Sequence, residues 1–324
     1  MRKIFAISTV AVLLLSTSLI SGCKESSLTR TFFAADTVCS ITLYDGDETT
    51  LDGAVELCNK LAGIMDANNE SSPLCTLNKE KALEKPDQDL FNVIKAAKDY
   101  AEISSGVFDP TIRAFTRLWD FKSGAVPSSS DLQKAAQYVG YEKLSLENER
   151  ISLLGEAEIE LGAIAKGYIS QRIYEYLKSQ NVTSAIINLG GNVTLLGNNK
   201  GERFLVGIQK PFEQGIVTSI SAEDCSVVTS GIYQRYIEKD GVIYHHLLNS
   251  KTGMPEQNSL FSVTVISKSG TEADALSTLC FLLGKEKGMK YIESLENTEA
   301  VFIDRENNLH LTSGLTINNN IITQ

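Results

Sequence analysis

One segment of this chain is apolar enough to enter a membrane, and it stands at the N-terminus. Arg2 and Lys3 precede a run from Ile4 to Ile20 broken only by small Ala, Ser and Thr residues, and Ser21-Gly22-Cys23 follows it. A cationic start, an apolar stretch and a small-residue exit mark a secretory signal. At about 17 residues the stretch is short for a bilayer-spanning helix. What folds is therefore expected downstream, as a water-facing domain outside the cytoplasm. Removing residues 1–22 takes away two cations and turns the formal charge of −10 into −12. An acidic chain without a basic run lacks the electrostatic footprint of a nucleic-acid binder. With 43% hydrophobic residues over 324 positions, the chain has ample material for a packed core, in one large domain or two of ordinary size.

Ile20-Ser21-Gly22-Cys23 resembles the lipobox at which bacterial lipoproteins are cleaved and acylated on the cysteine. The expectation is a signal over residues 1–22, a lipid on Cys23, a polar tether over 23–30 and a folded domain over 31–324, anchored to a bacterial membrane and facing the periplasm or cell exterior. The other cysteines, Cys39, Cys58, Cys75, Cys225 and Cys280, are odd in number, widely spaced and without a CxxC pair. That spacing speaks against a zinc or dithiol motif and for core cysteines, with one disulfide left open in an exported protein.

Periodicity organises the rest. Phe32 to Tyr44 alternates like a strand. Leu51 to Met65 carries apolar residues at helical spacing, and Gln88 to Ile103 reads as a second helix. A polar loop is expected over 66–77, turn residues over 122–130, and a small helix over 131–139. A short strand over 158–161 leads into Gly162, and a helix over 166–179 precedes the strand Ala185 to Leu189. The chain is then β-rich to about residue 267, with turns at Gly190-Gly191, Asn198-Asn199 and Asp240-Gly241. Helices over 271–283 and 285–295 and two short strands complete it. Helices and strands mix without a βαβ rhythm, which predicts an α+β fold with antiparallel sheets.

Several segments could carry chemistry, each with a plain structural alternative. Glu160-Leu-Gly-Ala-Ile-Ala-Lys-Gly167 links a strand to a helix whose free N–H groups would attract an anion, but it is neither a Walker A loop nor a GxGxxG turn. The glycines of Asn188-Leu-Gly-Gly-Asn192 permit close backbone approach to a ligand, or simply a hairpin turn. Val227-Val-Thr-Ser-Gly231 ends a strand in two hydroxyls. His245 and His246 are adjacent, so on a strand they face opposite ways and would not share a metal; one of them suits a general base. Asp274 and Thr278 stack four apart on a helix apolar on most sides. Two hard oxygens there suit Mg²⁺, whereas Thr271 as N-cap with Asp274 at the third helical position would be a capping box.

Taken in order, Phe108-Asp-Pro-Thr-Ile112, Glu160 to Gly167, Asn188 to Asn192, Val206-Gly-Ile-Gln209, Val228-Thr-Ser-Gly231, His245-His-Leu-Leu-Asn-Ser-Lys-Thr-Gly253 and Ala273-Asp-Ala-Leu-Ser-Thr278 closely resemble the FAD:protein FMN transferase family of ApbE-type lipoproteins, over roughly residues 31–305. The resemblance implies a T-fold-like α+β architecture that binds FAD. It implies Mg²⁺ on Asp274, Thr278 and the main-chain carbonyl of Ala163. The implied reaction is transfer of FMN from FAD to a threonine hydroxyl of a partner membrane protein with release of AMP, the partner being an acceptor subunit of Na⁺-pumping quinone reductase or a related electron-transfer complex. His246 carries over as the base, and His245 as a packing or orienting residue. Ala35, Asn68, Val107, Phe108, Asp109, Glu160, Lys166 and Leu248 match FAD-contacting positions, with Thr229, Ser230 and the Gly190-Gly191 turn as further contacts.

Three departures bear on function. Ala35-Asp36-Thr37 stands where relatives carry Met-Gly-Thr, Asn249-Ser250 replaces Asp-Pro, and Asn68 replaces a common aromatic. Loss of that ring would let water compete with the acceptor. Two alternatives thus stand beside the transferase: a Mg²⁺-dependent FAD pyrophosphatase giving FMN and AMP, and a tethered FAD-binding lipoprotein without catalysis.

Overall fold

The computed structural model describes residues 27–324, so the signal segment and Cys23 lie outside the described residues. The main sheet has eight strands, all paired antiparallel, in the order β1 (Leu28–Ala34), β2 (Thr37–Leu43), β6 (Ala185–Leu189), β7 (Asn192–Leu196), β10 (Ser226–Gly231), β13 (Leu260–Ser267), β14 (Thr298–Asp304), β15 (Leu309–Leu311). A second sheet runs β16 (Thr316–Asn318), β17 (Ile321–Thr323), β9 (Ile216–Ala222), β8 (Phe204–Gln209), with β17 parallel to β9. A three-stranded sheet holds β3 (Ala82–Glu84), β5 (Arg150–Leu153) and β4 (Leu144–Glu147), and β11 (Tyr236–Lys239) forms a hairpin with β12 (Val242–His245). The helices are α1 (Glu48–Ile64), α2 (Pro73–Glu80), α3 (Gln88–Ile103), α4 (Arg113–Thr116), α5 (Ser129–Ala136), α6 (Ala165–Ser179), α7 (Gly270–Leu283) and α8 (Lys285–Ile292). Helices alternate with antiparallel strands, as the missing βαβ rhythm predicts.

Strand periodicity sorts the main sheet into two apolar faces. Val228, Val265 and Phe302 pack with the buried stripes of α1 (Leu51, Ala54, Cys58, Leu61) and α6 (Ile169, Ile173, Leu177). Their neighbours Val227, Ile266 and Val301 face the other way, onto Phe204, Ile208 and Ile220 of the second sheet. Helix α7 is buried from Ala273 to Phe281, which explains why it is apolar nearly all round. A third cluster joins Phe115 and Trp119 to Leu248 and Ile237, seating the loop after β12 against α4. All five described cysteines are buried and free, which closes the disulfide alternative for this structure.

Several local expectations are corrected. Residues 28–30, assigned to the tether, open β1, whose full length pairs with β2. Phe32 to Tyr44 is not one strand but parts of two, because Ala35 and Asp36 both adopt positive φ (48° and 58°) and turn the chain, the backbone signature of a tight hairpin. The loop expected over 66–77 contains the first half of α2, which Ser72 caps through Cys75 N and Pro73 starts. Residues 158–161 supply only a single bridge, Glu158 to Ile112, rather than a strand. Four strands, not two, follow α8.

Candidate active site

The site is built where α6 crosses α7. A Cβ on Gly167 would lie 2.2 Å from the Gly270 carbonyl oxygen and 2.4 Å from Asp274 Cβ, so glycine there permits the close helix approach. That approach lets Asp274 Oδ2 accept from Gly167 N–H at 2.8 Å. The capping-box alternative falls away: Ser269 is the N-cap of α7, taking Glu272 N–H, and Asp274 instead caps the neighbouring helix, whose own Ncap residue supplies no side-chain bond. Gly167 is the third residue of α6, so its N–H has no carbonyl of its own helix to return to, and Asp274 satisfies it. Asp274 is 3% exposed and has no cationic side chain within ion-pair distance among the described residues. Thr278, one turn on, bonds Ser230 Oγ at 3.0 Å, and Ser230 reaches Ser277 at 2.8 Å. Asp274, Thr278 and Ala163 thus offer a carboxylate, a hydroxyl and a carbonyl oxygen, a donor set that fits Mg²⁺. No three His, Cys, Asp or Glu side chains gather among the described residues, so a cation here would rest on this single carboxylate.

The two histidines separate as strand geometry requires. His245 is fully buried, with Nε2 at 3.1 Å from the Glu256 carbonyl and its ring edge-on to Phe281. Burial pushes its pKa down to about 4. His246 lines the open cleft, its backbone N–H and its Nδ1 both turned to the Arg235 carbonyl at 3.2 Å. An Nδ1–H donated there leaves the Nε2 lone pair free, the tautomer a base needs. Enclosure first, and the Arg235 charge second, drive its pKa down to about 3, so the ring is neutral at physiological pH. The following loop is seated by Trp119 Nε1–H donating to Gly253 O at 2.9 Å, and Gly253 (φ +68°) leaves no room for a Cβ against the Phe115 ring.

The same loop absorbs two of the sequence departures. Asn249 Oδ1 accepts from Lys251 N–H and Thr252 N–H, its Nδ2 donates to Glu256 Oε2 at 2.7 Å, and Ser250 Oγ donates to Gly106 O at 2.5 Å. These residues hold the loop's shape, so replacing acid and proline leaves the cleft-facing groups in place. Asn68 has a different setting. Arg113, a residue the motif reading passed over, donates to Asn68 Oδ1 at 3.1 Å and Ala67 O at 2.8 Å while its other nitrogen pairs with Glu160 at 2.9 Å. One guanidinium therefore ties the 66–68 loop to Glu160.

One cleft of about 3260 Å³ gathers all the candidates: Ala35, Asn68, Val107, Phe108, Asp109, Glu160, Ala163, Lys166, Thr229, Ser230, His246, Leu248, Asp274 and Thr278, with Gly190 and Gly191. It is several times the size of an ordinary small-molecule pocket. Asp109 is present mainly as a brace: both its oxygens are taken, by Thr111 N–H and Oγ1–H and by Tyr141 N–H, and burial raises its pKa. Thr229 Oγ1 is shared with Thr264 at 2.8 Å. Besides Arg113, motif reading missed Asn192, which lines the cleft with a buried Nδ2 lacking any acceptor in the structure. Its signal was present, since it ends the Gly-Gly turn segment already singled out.

A family model described as the ApbE family matches residues 35–302. Proteins named FAD:protein FMN transferase from Klebsiella pneumoniae (34% identical, over 84% of this chain and 87% of that protein) and Treponema pallidum (30%, 91% of each) are among the relatives. The fold matches the ApbE protein of Thermotoga maritima (TM-score 0.81, 27% identical, 89% of this chain and 97% of that one) and the flavin transferase ApbE of Vibrio cholerae (TM-score 0.80, 26%, 89% and 97%). This chain belongs to the ApbE family.

Proposed function

We propose that this enzyme, of the FAD:protein FMN transferase type, moves FMN from FAD to a threonine hydroxyl of a partner protein and releases AMP. The observation that carries the reading is the buried Asp274 carboxylate, which caps the Gly167 N–H at the start of α6 and opens onto the same cleft as the neutral His246. A Mg²⁺ ion on Asp274, Thr278 and the Ala163 carbonyl would neutralise charge on the FAD pyrophosphate. The protein does the rest. The N-terminus of α6 and Lys166, which has no acidic partner within 4 Å among the described residues, present positive potential to the phosphates. Asn192 Nδ2 offers a donor that a substrate oxygen would satisfy. His246 Nε2 takes the proton of the acceptor hydroxyl as its oxygen bonds to the FMN phosphorus. The phosphoanhydride bond to AMP breaks, and AMP leaves with the electron pair.

Export and anchoring through Cys23 would place the reaction at a membrane surface, and acceptor subunits of Na⁺-pumping quinone reductase or related redox complexes suit it. A second reading, FAD hydrolysis to FMN and AMP, is favoured by Asn68, because Arg113 holds a small amide where a ring would cover the flavin. Incubation with FAD and Mg²⁺, with and without acceptor, tests both. Acceptor-dependent AMP equal to the flavin bound covalently supports transfer, AMP without acceptor supports hydrolysis, and no AMP refutes both.

A further inference from the structure

We propose that β8 is the docking edge for the acceptor, where an extended acceptor segment adds as a fifth strand to the second sheet and carries its hydroxyl towards His246. This rests on the transfer reaction proposed above. Strand β8 ends its sheet in the order β16-β17-β9-β8, so alternate N–H and C=O groups of Phe204–Gln209 lack a ladder partner. Exposed edges are commonly blunted by charge or proline. The sequence Phe-Leu-Val-Gly-Ile-Gln has neither, and its register shift is confined to Ile208/Gln209.

The edge borders the catalytic cleft, because every residue of β8 lines the same cavity as His246 and Asp274. Apolar side chains stand open on and beside it: Leu205 of β8 is 63% exposed and Ile216, the register partner of Gln209, 52%, both lining the cleft. Exposed apolar side chains beside an open edge give alternate side chains of an added strand something to pack against. The loop leaving β8 then turns towards the base. Phe212, held at φ +57°, sets its ring 5.1 Å from that of Tyr236, the register partner of His245. A bulky side chain at positive φ is strained backbone, and here it couples the end of the open edge to the histidine hairpin. The cleft's volume leaves room for a polypeptide beside a dinucleotide, and an extended segment is the shape whose backbone this edge satisfies.

The test uses the full chain in detergent, with the redox subunit that takes up flavin in the transfer assay and threonine-centred peptides cut from it, each bearing one backbone N-methyl group. The expected result is a KM raised about tenfold by methylation at alternate residues and little changed at those between. Leu205→Lys should raise the acceptor KM by a similar factor while leaving the affinity for FAD unchanged. A flat N-methyl profile, or an unchanged acceptor KM in a folded Leu205→Lys enzyme, overturns the proposal. Protection of β8 amides by a concentration-dependent dimer, without acceptor, also overturns it and makes a second copy the occupant. Should the unaltered enzyme place no flavin on any subunit, the transfer reading itself has failed, and that is seen before variants are compared.

Discussion

The two walls of the cleft are held in different ways. On the α6–α7 wall the functional oxygens sit in buried contacts: Gly167 against Gly270, Asp274 on Gly167 N–H, Thr278 on Ser230. On the facing wall, loops over 66–68 and 245–255 hold their cleft residues through side chains that differ from the family pattern, such as Asn68, Asn249 and Ser250. Close packing leaves the first wall no freedom to exchange residues, whereas a loop can keep its shape with different hydrogen-bonding partners. On the proposed reading, the oxygens that would hold the cation lie on the rigid side, and the base His246 and the control of water on the adaptable one.

The largest effect should come from Asp274→Asn, which keeps an acceptor for Gly167 N–H and removes the charge. AMP release should fall by at least about 10²-fold with stability within about 1 kcal/mol, by initial rates and urea unfolding; near-normal turnover would show that the rigid wall is not the chemical one. Gly167→Ala forces the helices apart and should cost about 1–3 kcal/mol together with most activity. On the adaptable wall, Asn68→Tyr should raise the ratio of flavin transferred to AMP released without loss of stability, and an unchanged ratio would remove water control from that loop.

Acid sharpens the comparison further. His245, buried at about pKa 4 against 6.5 unfolded, leaves the unfolded chain binding more protons between those values. Stability should therefore fall as pH drops from about 6.5 towards 4, by at most about 3 kcal/mol from this group. Urea midpoints across that range should show the slope, and His245→Gln should reduce it by the His245 share, leaving the part that His246, held near 3, contributes. The smallest effect is expected of Ser250→Pro, which loses one bond to Gly106 O yet restores the family's residue: turnover within about twofold and stability within about 1 kcal/mol.

Much of this architecture is legible in the amino-acid sequence. The helix over Gln88–Ile103 and the strand Ala185–Leu189 agree to the residue with their apolar periods. The motifs supply many of the residues that line the cleft, while Arg113, which also lines it, stands just outside them. Where local signals failed, a nonlocal contact or a turn had decided. The tether reading missed β1 because Leu28–Arg30 gain strand structure only by pairing with Ile41–Leu43. The capping box looked self-sufficient because the partner that takes Asp274, Gly167, lies 107 residues away.

The sequence by itself determined the class of fold, the family, and the motifs from which the proposed site is drawn, because apolar periods and short motifs are local properties of the chain. Only the tertiary structure decided what each side chain is free to do. It set Asp274 against Gly167 N–H and away from its own helix cap, used both oxygens of Asp109 as braces, gave Arg113 to Asn68 and Glu160, and left β8 an open edge on the cleft that His246 also lines. Hydrogen-bond partners and exposure depend on which distant segments pack together, and no local pattern encodes that.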